Sequence, residues 1–168
     1  CYEDVEAYKL YYSPTFEDTP YLIAEFNERY DTVYNHYPEN TLSGCYLVTA
    51  IDSFENESEP SVRFCLDECS NYILPNVFSP NGDGINDLYR PQRTSYVEKV
   101  EMTIFNRWGI QVFYTEDPDV NWDGKVNNTN QLVAPGVYYY ICDVYEYRLT
   151  GIEVYTLTGF IYVYSGDA

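Results

Sequence analysis

The chain has 168 residues and a formal net charge of −18, with 27 Asp and Glu against nine Lys and Arg, and 21 of its residues are Tyr. So few cations exclude nucleic acid, whose binding rests on clustered Lys and Arg at the phosphates, and they disfavour an anionic bilayer for the same reason. A solubilising surface, a protein partner with basic patches, or divalent cations are left as uses for the negative charge.

Length alone fits one large domain or two small ones. Tyr, Val, Ile and Thr suit half-buried pleated surfaces, so the composition leans toward strand. Five Cys with no CxxC pair and a single His fit disulfides in an oxidising compartment better than a zinc site. No run of about 18 apolar residues offers a membrane-spanning helix. The opening "CYEDVEAYKL" has neither the basic start nor the apolar core of a leader. It reads as the interior of a longer exported protein.

In chain order, "VEAYKLYY" (5–12), "PYLIAEF" (20–26), "DTVYNHY" (31–37), "GCYLVTAID" (44–52) and "SVRFC" (61–65) are expected strands, separated by turn signals. That spacing predicts an antiparallel sandwich. The stretch "PENTLSGCYLVTAIDSFENESEPS" resembles the last third of a fibronectin type III domain, with Leu42 and Tyr46 spaced as in its tyrosine corner. The resemblance implies a unit truncated at its N-terminus and a Tyr46 hydroxyl bonded back to the main chain. "LDECSNYI" breaks the alternation, which places a boundary at about residue 70.

Beyond it, "VEKVEMTIFN" (97–106) and "IQVFYTE" (110–116) flank "RWG", a hairpin turn in which Gly109 supplies the positive φ. "PGVYYYICDVYEYRL" (135–149) and "IEVYTLTGFIYVYS" (152–165) form the closing hairpin, with aromatic residues on both faces. The fold class is therefore all-β: two consecutive Ig-like or fibronectin-like antiparallel β-sandwich units, residues 1–70 and 71–168. If 44–52 and 61–65 pair as a hairpin, Cys45 falls opposite Cys65 and can bridge to it. Cys69 and Cys142 are then expected to pair, with Cys1 left over.

Catalysis finds little support. His36 is the only His, and no GxSxG elbow accompanies it. Carboxylates are abundant in so acidic a chain, and abundance does not make a catalytic pair across a cleft. The reading is a non-enzyme.

"SPNGDGINDLY" holds two readings open. Asn81, Asp83, Asn86 and Asp87 carry oxygens around Gly82 and Gly84, a pattern that resembles the DxDGxxD repeat of thrombospondin type 3 calcium loops. Asn-Gly and Asp-Gly are equally turn dipeptides whose side chains bond their own backbone. Calcium is the one cofactor in play.

Four blocks follow in order: "LPNVFSPNGDGINDLYRP", "IFNRWG", "WDGK" and "GVYYY". Over residues 73–165 they resemble the gliding motility-associated C-terminal domain, the type B sorting domain of the type IX secretion system of Bacteroidota. The resemblance implies a sorting signal rather than a catalyst, recognised by the outer-membrane translocon and by proteins that retain cargo at the cell surface, with cargo domains upstream in the same chain. The product would be exported, to the surface or the medium, without inserting into the membrane. It carries the family's motif roles to Asn106, Arg107, Trp108 and Gly109 and to Trp122, Asp123 and Gly124. The polar tail from Ser165 to Ala168 departs from the apolar, basic-ended terminus common in that family. A calcium-stabilised adhesion or stalk module, or a carbohydrate-binding sandwich using the Tyr-rich face, is the competing expectation.

Overall fold

A computed structural model of the chain describes residues 4–37, 41, 43–127 and 129–164. They form eleven strands and, among the described residues, no α-helix: β1 Val5–Ser13, β2 Tyr21–Phe26, β3 Gly44–Asp52, β4 Phe64–Leu66, β5 Asn71–Ile73, β6 Val77–Phe78, β7 Arg93–Ser95, β8 Val97–Phe105, β9 Gln111–Thr115, β10 Gly136–Arg148 and β11 Gly151–Val163. The chain gathers into two compact units, residues 1–69 with 147–152, and residues 70–146 with 153–168. The architecture is all-β, in sheets of Ig-like sandwich type.

The first unit is an antiparallel sheet in the order β2-β1-β3-β4. Cys45 faces Cys65 in the register of β3 and β4, and the two are joined by a disulfide with Cα atoms 4.0 Å apart. The expected strand at 31–37 does not form. That segment is anchored by its rings: Tyr34 packs on Phe26 at 5.9 Å, and His36 packs on Tyr12 at 4.9 Å. Side chains that alternate in sequence as a strand's would are spent here on fastening the chain to a sheet face.

The corner also differs from expectation. Leu42 lies outside the described residues, and the Tyr46 hydroxyl sits 2.9 Å from His36 Nδ1 rather than on a backbone group. The main-chain bond is made by Tyr12, whose hydroxyl donates to the Ser43 carbonyl at 2.8 Å. His36 is thus part of an aromatic cluster, and burial lowers its pKa.

Glu57, from the loop between β3 and β4, gathers Lys9 Nζ at 2.8 Å, the Tyr11 hydroxyl at 2.7 Å and Thr49 Oγ1 at 2.7 Å. Within the same unit Asp67 holds Arg148 in a two-pronged pair, Nε at 3.0 Å and Nη2 at 2.7 Å. That fork geometry is the strong form of an ion pair.

The second unit carries a five-stranded sheet in the order β6-β11-β10-β8-β9 and a small β5-β7 sheet. The β10–β8, β8–β9 and β5–β7 pairs run antiparallel, and the β6–β11 pair runs parallel. Along β8, Val100, Met102 and Ile104 turn inward in strict alternation, and along β10 so do Tyr138, Cys142 and Val144. Period-2 burial of this kind is what a one-face-wet strand requires.

The expected Cys69–Cys142 bridge is not present: both thiols are free, Cys69 exposed and Cys142 buried. Cys142 lies on the inward face of β10, where its thiol is enclosed by the core of its own unit. That enclosure raises its pKa to about 12.

Candidate recognition site

Three of the four sequence blocks converge on one indole. Trp122 is fully buried, with the Phe78 ring 5.1 Å away, Phe113 at 5.7 Å and Tyr138 at 6.0 Å. Tyr89 and Trp122 exchange backbone hydrogen bonds, 2.8 Å from the Tyr89 amide and 3.2 Å from the Trp122 amide. The indole N–H donates to the Lys125 carbonyl at 2.8 Å, so its one polar atom is satisfied inside the core. Asp123 accepts the Lys125 amide at 3.1 Å and pairs with Lys125 Nζ at 2.5 Å, which squares the turn that delivers the Trp.

The loop 79–87 is held by its own side chains. Asp87 accepts the Gly82 amide at 2.6 Å through Oδ1 and the Gly84 amide at 2.7 Å through Oδ2. Asp83 accepts the Ile85 amide at 2.7 Å and the Asn81 side-chain amide at 2.8 Å. The Asn81 contact, then the Ile85 amide, holds the Asp83 carboxyl below its usual pKa. Asn86 takes a positive φ of 54° and its carbonyl receives the Ser79 amide at 2.9 Å.

All four carboxylate oxygens of Asp83 and Asp87 therefore already accept hydrogen bonds. Among the described residues no three His, Cys, Asp or Glu side chains gather as ligands for a metal. These hydrogen bonds make the loop a self-braced turn of the Asx type.

The remaining block makes the β8–β9 turn. Asn106 Oδ1 accepts the amides of Trp108 and Ile110, each at 3.0 Å, and Gly109 takes the positive φ, 77°. Trp108 is 76% exposed, and the Arg107 guanidinium lies 5.4 Å from the centre of its ring. The block thus divides into a brace, Asn106 and Gly109, and a displayed pair, Arg107 and Trp108.

Phe78, Tyr89, Phe113 and Tyr138 complete the Trp122 cluster and were not among the residues singled out from sequence. The inward alternation of "GVYYY" is the signal for Tyr138. Nothing in the spacing of the other three points to one indole. The tail 165–168 lies outside the described residues.

The distinctive residues of this all-β unit thus build braced turns and an aromatic core, with one turn displayed outward. The family profile of the CHU_C type IX secretion signal domain matches residues 72–163, more than half of the chain, and the chain belongs to this family. No curated protein matches the chain. Membership makes it a secreted protein bearing a sorting signal that interacts with the type IX secretion machinery.

Proposed function

We propose that residues 71–168 act as a type B C-terminal sorting domain, which directs the protein through the outer-membrane translocon of the type IX system and helps retain it at the cell surface. Residues 1–70 are the end of a fibronectin-like domain that precedes it, with cargo further upstream. The role is non-catalytic: a rigid sandwich presents a shape, and the partner reads that shape. The observation that carries this reading is the family match over 72–163, within which the four blocks occur in order. The braced turns support it physically, since a recognised surface is best held by groups whose own geometry is locked.

The test is a periplasmic reporter joined to the 168-residue chain in a bacterium with a type IX system, scored by protease accessibility on whole cells and by the fraction in the medium. The sorting role predicts reporter outside the outer membrane and cell-associated. Reporter held in the periplasm would sink the reading. Reporter found only in the medium would remove the retention step while leaving export intact.

A further inference from the structure

One half of the outer face of the five-stranded sheet carries no charge. Tyr139 and Phe105 are cross-strand partners there, and Tyr162 pairs with Val77. A Cβ at Gly159 would meet the Tyr140 ring within 2.8 Å, so that pair lies together on the inner face. By the strand alternation their neighbours Tyr139 and Phe160 turn outward side by side. Tyr139 is 53% exposed and Phe160 51%, with Ile141, Tyr162 and Val77 also exposed. The patch ends at a polar stripe where Thr156 donates to Asp143, in a row shared with Glu101.

A contiguous apolar patch on an otherwise strongly acidic chain marks an interaction surface. A second copy is a poor occupant, because it would bring two chains of net charge −18 together. The one charge in the block at the adjoining β8–β9 turn is Arg107. It stacks on Trp108, lies against Gly136 at the start of β10, and has no carboxylate partner among the described residues. An unpaired guanidinium beside a neutral aromatic face calls for a complementary carboxylate on what docks there.

We propose that this half-face, with Arg107 and Trp108 at its rim, is the surface by which the domain docks on a protein of the secretion machinery. That protein's surface would be apolar at the centre, with an acidic residue opposite Arg107. The inference rests on the sorting function proposed above. Every residue in it falls inside the segment matched by the family profile, 72–163.

The test uses the same reporter fusion with Tyr139→Thr/Phe160→Thr and with Arg107→Glu, and with Glu98→Lys as an exposed control off the patch. Thr suits outward strand positions, and each variant's melting curve is recorded. Export reduced at least tenfold in both patch variants, with the control and the melting temperatures near wild type, is the expected result. Wild-type reporter exported together with both patch variants overturns the docking surface and leaves the sorting function standing. Wild-type reporter retained in the periplasm overturns both. If the double variant melts early, Arg107→Glu decides alone, since its side chain bears no ion pair on which the fold depends.

Discussion

Gly124 lies under Pro80: a Cβ built at Gly124 would stand 2.7 Å from Pro80 Cγ and 3.0 Å from its Cβ. The contact joins the "WDG" block to the "SPNGDG" loop, so two motifs far apart in the chain are one packed feature. Gly124 also takes a φ of 78°, a backbone region that costs a side-chain-bearing residue about 1–2 kcal/mol. Gly124→Ala should therefore lose about 2–4 kcal/mol, strain and overpacking together. Pro80→Ala in the same chain should recover part of it, because contacting sites are not additive. Urea unfolding of the four proteins of this cycle checks both claims, and full additivity would place the whole effect in the backbone.

The Asp87 brace makes a second prediction. Two backbone amides on one carboxylate, in an exposed loop, are worth about 1–2 kcal/mol, so Asp87→Ala should lower stability by that amount. Asp87→Asn should fall between, since its side chain keeps one acceptor oxygen. With the carboxylate oxygens engaged by the loop itself, calcium or a chelator should leave the melting temperature of the wild type unchanged. A rise of several degrees with calcium, lost in Asp83→Ala and Asp87→Ala, would give the loop back to the ion.

These contacts show why sequence resolves the long strands and not the loop chemistry. Val97–Phe105 and Gly136–Arg148 alternate over nine or more residues, and the alternation reports burial directly. β5, β6 and β7 have two or three residues each, too few to show a period. Segment 31–37 has the spacing of a strand and the contacts of a strap, and only the rings of Phe26 and Tyr12 decide between them. In the loop 79–87 the same Asn and Asp positions serve a cation cage or an Asx turn, because both need oxygens aimed inward around glycines. Cys142 could have been placed in the core from its inward register with Val144. The resemblance of the ordered blocks identified the family, yet it gave no hint that three of them meet at Trp122.

Acid should act on the first unit through Glu57. Lys9 first, then Thr49 and Tyr11, hold its carboxyl at about 2, against 4.5 for a free Glu. A depressed folded pKa means that the unfolded chain binds more protons between those values, so stability rises with pH across that window. The contribution is complete above about 4.5 and is lost as pH falls toward 2. Denaturant midpoints measured from pH 6 to pH 2 should fall less steeply in Glu57→Gln than in wild type. Parallel curves would show that Glu57 titrates alike in both states.

Asn106 and Trp108 stand two residues apart in one block and should behave in opposite ways. The Asn106 side chain accepts two turn amides. Asn106→Ala should then cost about 1–2 kcal/mol in denaturant unfolding. Trp108 is exposed and, among the described residues, stacks only on Arg107, so Trp108→Ala should stay within about 0.5 kcal/mol of wild type. Its removal leaves Trp122 as the sole indole, buried in the core, and the fluorescence should become blue-shifted and resistant to acrylamide. If Trp108→Ala instead lost more than about 1 kcal/mol, the tryptophan would belong to the turn's stability. The division of this block between a folded brace and a displayed surface would then fail.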